Sequence, residues 1–160
     1  MLKLYKNVDD KLHYWETWNK KKEEIGVVHW GVVGDKGEDK EVQSTLLESF
    51  KKAIQKEATD KIKEGYEEID IDDHYTLLIE FTIDGMGSPE DLDKRNQLED
   101  RMNDTLGWTG LGRCDGGSIG RGTMEICCFV VDFDIAKKVI EQDLKGTEFA
   151  NYTRIYDENA

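Results

Sequence analysis

A short acidic run, Glu67-Glu68-Ile69-Asp70-Ile71-Asp72-Asp73, divides this chain into two parts of different character. Residues 1–70 carry 13 Lys, no Arg and 16 acids, a net charge of −3; residues 71–160 carry 4 Lys, 5 Arg and 19 acids, a net charge of −10. Each part is long enough for one small core and too short for more. With 38% hydrophobic residues against 36% charged ones in 160 residues, the chain has the apolar side chains that a disordered chain lacks. Its overall charge of −13 repels nucleic acid and anionic lipid, either of which would need a local basic patch, and it suits a basic protein partner.

The first part opens with short strand patterns at Lys3–Tyr5, Leu12–Trp18 and Gly26–Val33. In the second of these, Leu12, Tyr14 and Trp18 share one face, and His13 and Trp15 the other. Gly34-Asp35-Lys36-Gly37 reads as a tight turn before a further short strand at Lys40–Gln43. Thr45-Leu46-Leu47-Glu48 has the form of a capping box. The helix expected from it places Leu46, Leu47, Phe50, Ala53, Ile54, Ala58 and Ile62 on its apolar face, with Gly65 at its end.

The second part alternates. Tyr75–Ile83 has strand periodicity, with Leu77, Ile79, Phe81 and Ile83 inward. Ser88-Pro89-Glu90-Asp91 combines a cap residue, a first-turn proline and acids at a helix N-terminus. The helix is expected to run to about Leu106 and to bury Leu92, Leu98, Met102 and Leu106. Gly107–Gly122, with seven glycines in sixteen residues, reads as a flexible helix-to-strand connection or a hairpin. Met124–Val131 is apolar on both faces, as in a central strand, and Asp132-Phe133-Asp134 leads into a helix bearing Ile135, Ala136, Val139, Ile140 and Leu144. A last strand is expected at Asn151–Tyr156. The fold class is therefore α+β: an antiparallel sheet and helix over 1–70, then a β-α-β-α-β module over 71–160, an incomplete ferredoxin-like arrangement with two helices on one face of a sheet.

Met1–Lys11 has no apolar core of a secretory signal, and the longest apolar run, Ile126–Val131, has six residues and cannot span ~30 Å of hydrocarbon. Of the three cysteines, Cys114, Cys127 and Cys128, the adjacent two would point to opposite faces of a strand and cannot pair without strain. Free thiols in the cytoplasm are the simplest reading. A zinc-binding spacing is absent, and neither a metal nor a cofactor is expected.

Trp30-Gly31-Val32-Val33-Gly34-Asp35-Lys36-Gly37 resembles the signature of WGR domains, in which Trp-Gly-Arg precedes a hydrophobic residue, Gly and a G-x-x-G turn. Leu4-Tyr5, Tyr14-Trp15-Glu16-Thr17-Trp18 and Lys61–Gly65-Tyr66 follow the same order, so the resemblance covers about residues 1–68. WGR domains occur in poly(ADP-ribose) polymerases, where they contact DNA ends and neighbouring domains, and in small bacterial proteins. The signature arginine is replaced here by Val32, which cannot reach phosphate. The resemblance thus implies the scaffold without its phosphate-binding residue. The second part is similar to segments of uncharacterised bacterial proteins, which implies no activity.

The glycine stretch invites a phosphate-loop reading, with Arg113, Asp115, Gly116, Gly117 and Arg121 as ligand-binding residues. Against it, phosphate loops lead from a strand into a helix, whereas this one leaves a helix and enters a strand. Cys114 lacks a base nearby in sequence, and His74 beside Asp72 and Asp73 reads as an acidic turn rather than a metal site. Lys20-Lys21-Lys22 is the basic run, followed at once by Glu23-Glu24. With Trp15, Trp18 and Trp30 it makes up the expected partner-binding set, because Tyr14, Trp15 and Trp18 cannot all face one core. The leading expectation is a non-enzymatic protein that binds a basic protein partner, such as an immunity or inhibitor protein. The alternatives are a nucleic-acid-associated module working through Lys20–Lys22, and an enzyme binding a phosphorylated small molecule at the glycine stretch.

Overall fold

The computed structural model describes residues 1–20 and 22–160. The described residues form three α-helices and eight strands in two antiparallel sheets, a mixed α+β fold. They fall into two compact units, Met1–Ile69 and Asp70–Ala160.

Unit 1 is a meander of β1 (Leu2–Val8), β2 (Lys11–Lys20), β3 (Ile25–Val32) and β4 (Glu38–Gln43), paired in chain order, followed by α1 (Phe50–Lys63). The register sets Leu4 against Trp15, Trp15 against Trp30, and Thr17 against Val28, so these residues share one face. Phe50, Ile54 and Ala58 of α1 pack on that face with Leu4, Trp15 and Val28 to make the core. After α1, Gly65 adopts a left-handed conformation, and the amides of Gly65 and Tyr66 bond back to the carbonyls of Ile62 and Lys61. The chain then returns to β1, where Tyr5 and Glu67 exchange both backbone hydrogen bonds and cover that sheet edge.

The helix start differs from the capping box expected at Thr45. The N-cap is Ser49, whose hydroxyl accepts from the Lys52 amide, while the Ser44 hydroxyl accepts from the Phe50 amide. With these orphan amides satisfied, no earlier helical turn is needed. Leu46 and Leu47 therefore lie outside the helix and outside the core, and Ile62 is also exposed.

Unit 2 begins with a 3₁₀ turn (Ile71–Asp73) and continues through β5 (Tyr75–Thr82), α2 (Pro89–Trp108), β6 (Gly112–Gly120), β7 (Thr123–Val130), α3 (Phe133–Leu144) and β8 (Arg154–Asp157). The sheet order is β6-β7-β5-β8, with every pair antiparallel. The incomplete β-α-β-α-β pattern is thus corrected to a complete β-α-β-β-α-β unit, the split arrangement of ferredoxin-like folds. The missing strand is the glycine-rich stretch, which pairs with β7 through a hairpin turned at Arg121-Gly122. Glycine is required within this strand: a Cβ at Gly117 would lie 1.9 Å from the Glu125 carbonyl oxygen. Between Cys114 and Gly117 the ladder shifts by a bulge.

Leu77, Ile79 and Phe81 of β5 and Met124, Ile126, Cys128 and Val130 of β7 line the buried face. Over it lie Leu98, Met102 and Leu106 of α2 and Ala136, Ile140 and Leu144 of α3. The other side of β7 is half-buried rather than core, and Leu92, expected inside, is 44% exposed. Ser88 and Asp91 form the reciprocal capping box of α2, and Asp132 caps α3. Leu106→Ala is expected to destabilise unit 2 by roughly 2–5 kcal/mol, and Leu92→Ala by less than about 0.5 kcal/mol, in urea unfolding followed by circular dichroism.

Candidate functional site

The sheet face of unit 1 opposite α1 holds a polar cluster. Glu16 of β2 and His29 of β3 are direct cross-strand partners, and both are buried. His29 Nδ1 lies 2.7 Å from Glu16 Oε1. Nε2 lies 2.5 Å from the Lys36 carbonyl oxygen and 3.1 Å from the Tyr14 hydroxyl. The Tyr14 hydroxyl donates to the Asp35 carbonyl at 2.9 Å, and Lys3 Nζ stands 3.4 Å from Glu16 Oε2. The Trp18 indole meets the His29 ring edge-on, with centroids 6.1 Å apart.

This cluster fastens the β3–β4 turn to the sheet. Gly37 must approach so closely that a Cβ there would lie 2.1 Å from the Trp30 carbonyl oxygen and 2.5 Å from the Tyr14 hydroxyl. A carboxylate, an imidazole and a hydroxyl in series have the composition of a general-base relay. Here, however, the ring has 0% exposure and both nitrogens lie against partners within the fold, Glu16 on one side and the Lys36 carbonyl on the other, so no reactant can reach either. Neither Glu16 nor His29 was singled out by sequence. The available signal was a carboxylate between Tyr14 and Trp18, in the middle of an aromatic face.

The Leu46–Leu47 turn is the second feature. The Thr45 hydroxyl accepts from the amides of Leu47 at 3.3 Å and Glu48 at 3.1 Å, and the Thr45 amide donates to the Glu48 carbonyl at 2.8 Å. The turn runs into α1, whose Lys51, Ile54 and Ala58 line a groove of about 370 Å³ with Leu2. The leucines were legible as apolar residues, but the helix assigned to them put them inside.

The expected partner-binding residues are dispersed. Trp15 is 2% exposed and belongs to the core, so its indole offers no contact surface. Trp18 is half-buried beside His29, on the face away from α1, and Trp30 is half-buried with Lys40 Nζ 6.0 Å from its ring. Lys20 is ion-paired with Glu41, which holds its ammonium above the ordinary range, and Lys22 is exposed. Lys21 lies outside the described residues.

The phosphate-loop reading is corrected. Residues 112–120 are a strand laddered to β7 rather than a loop that could wrap an anion. Arg113 lies over the Phe129 ring and Arg121 sits in the hairpin turn, eight residues away along an extended strand. That separation is roughly 25 Å, too far for both to grip one small ligand. Asp115 and Gly116 form the bulge, and Gly117 resumes the ladder. Cys114 and Cys128 are buried and Cys127 is half-buried. The His74 ring bonds to the Asp70 carbonyl at 2.9 Å, closing the 3₁₀ turn. Among the described residues no cluster could hold a metal ion, and no helix is long and apolar enough to cross a membrane. No family model matches the chain, and no curated protein or solved structure matches it either.

Two expectations follow from the polar cluster. Gly37→Ala should lower the stability of unit 1 by at least about 1 kcal/mol in urea unfolding, because its Cβ has no room and the residue is left-handed. Burial, and then the nearby Glu16 carboxylate, push the Tyr5 and Tyr14 phenols above their ordinary value of 10.0. The folded chain therefore keeps protons that the unfolded chain gives up, and stability should fall as the pH rises past about 10. Tyr14→Phe should make that fall shallower in alkaline urea titrations.

Proposed function

We propose that this chain is a non-enzymatic protein-binding protein that captures a basic partner, with the Leu46–Leu47 turn as its apolar contact. One observation carries the reading: Leu46 is 107% exposed and Leu47 98% exposed on a turn held in place by hydrogen bonds. Paired leucines held rigidly in water cost solvation in the free protein. Each gains roughly 1.5–3 kcal/mol when a partner buries it, with little loss of conformational entropy because the turn is already ordered. The groove along α1, lined by Leu2, Ile54 and Ala58, offers further apolar surface on the same unit. The net charge of −13 favours a basic partner by steering its approach.

The WGR-like reading of residues 1–68 belongs to the same proposal, as an interaction scaffold whose phosphate-binding arginine is replaced by Val32. In its most specific form, the protein is a cytoplasmic immunity or inhibitor protein that masks a basic toxin or nuclease.

The test is affinity capture at low salt from the protein's own cell extract, with and without nuclease treatment, comparing the wild type with a Leu46→Asp/Leu47→Asp variant. The wild type should retain one basic protein in stoichiometric amount. The variant, with an unchanged thermal midpoint, should retain it at least about tenfold less. Equal capture by both proteins, or no capture by the wild type, overturns the reading. Capture that disappears with nuclease would replace it with nucleic-acid association.

A further inference from the structure

We propose that Cys114 and Cys128 are a redox-active thiol pair that closes a cross-strand disulfide within unit 2. The two residues are direct partners on β6 and β7. Their pairing type follows from the ladder. The Val131 amide donates to the Leu111 carbonyl at 2.9 Å, which makes that pair a hydrogen-bonded one. Antiparallel pairs alternate, so Arg113/Phe129 is hydrogen-bonded, and Gly112/Val130 and Cys114/Cys128 are not. An independent contact agrees: the Cys114 amide donates at 2.9 Å to Asn103 Oδ1 on α2, away from β7.

In a non-hydrogen-bonded pair the Cα atoms stand about 4.5 Å apart and the side chains are at their closest, at the near end of the span a disulfide bridges. The Cys114 thiol already points across the ladder, 3.2 Å from the Cys127 carbonyl oxygen. The Cys128 thiol shares a hydrogen bond with it, and that contact, together with burial, raises the Cys128 pKa. Cys127 lies on the opposite face of β7 and cannot substitute for either partner.

Access sets the order of events. Cys114 is 6% exposed, on the edge strand beside the bulge, whereas Cys128 has 0% exposure. With a small disulfide such as oxidised glutathione as the oxidant, the Cys114 thiolate attacks one sulfur, forms a mixed disulfide and releases one small thiol. The Cys128 thiolate then attacks the Cys114 sulfur and releases the second. The two protein thiols lose two electrons and two protons, and the oxidant gains both as two thiols. The product ties the edge strand to the middle of the sheet and closes the hairpin covalently.

The experiment treats the whole reduced chain, under native conditions, with oxidised glutathione at mildly alkaline pH, then quenches with acid, alkylates, digests and maps peptides by mass spectrometry. The expected result is a Cys114–Cys128 cross-link with Cys127 alkylated. The cross-link should form more slowly as pH is lowered, because the thiolate is the attacking species. It should form unchanged in Cys127→Ser. The thermal midpoint of the oxidised form should rise by about 5 °C. Any bridge containing Cys127, a bridge between two chains, or three alkylated cysteines after prolonged oxidation would overturn the assignment. A lowered midpoint would do so too, by showing that the pair closes only under strain.

Discussion

Strand β7 can bury Met124, Ile126, Cys128 and Val130 under two helices only because β6 pairs along its outer edge and β5 along its inner one. Without β6, the amides and carbonyls on that edge of β7 would be unpaired beside a dry core, at about the cost of a lost hydrogen bond each. The glycine-rich composition of β6 is part of the same arrangement. At Gly117 the neighbouring backbone comes so close that no side chain fits. The bulge after Cys114 absorbs an extra residue, and Asn103 of α2 satisfies the outward Cys114 amide. A stretch that looks like the loosest part of the chain is therefore laddered to β7 along one edge and tied to α2 at Cys114 on the other.

Unit 1 solves a different problem. Its core takes one face of the sheet under α1, and the opposite face carries Glu16 and His29 without exposure. Burying both groups is tolerable because each is partnered: the imidazole bridges Glu16 and the Lys36 carbonyl, Lys3 attends the other carboxylate oxygen, and Tyr14 reaches the Asp35 carbonyl. Those contacts run from the sheet to the β3–β4 turn, so the turn with its close-packed Gly37 is held by side chains as well as by its own backbone.

Much of this was legible in the sequence, and the misses have physical causes. Alternation put Leu77, Ile79 and Phe81 inward, and they are buried; Ser88 and Pro89 marked the start of α2, and Gly65 the end of α1. These signals are local, and local chemistry decides them. Thr45-Leu46-Leu47-Glu48 was also a local signal, but Ser44 and Ser49 offered a competing cap that satisfied Phe50 and Lys52 four residues later. The assignment of β6 failed because glycine has no strand propensity, and the need for it arises only when β7 lies alongside. The Glu16–His29 pair and the Cys114–Cys128 pair are both matters of register, separated by 13 and 14 positions in sequence. No periodicity within a single strand announces them.

Charge and apolar contact divide the work of binding in the proposed function. In unit 2, Arg101 is matched to Asp143 and Arg154 to Glu80, and the excess of acid remains in the field around the protein. In unit 1, Lys3, Lys20, Lys40 and Lys61 are each set against a glutamate. A field of this kind acts over about a Debye length and governs how fast a basic partner arrives; it does little to keep the partner bound in physiological salt. Retention needs buried apolar area, and Leu46 and Leu47 supply it at a fixed point on unit 1. Raising the salt should therefore slow association far more than it hastens dissociation, whereas loss of the two leucines should do the reverse.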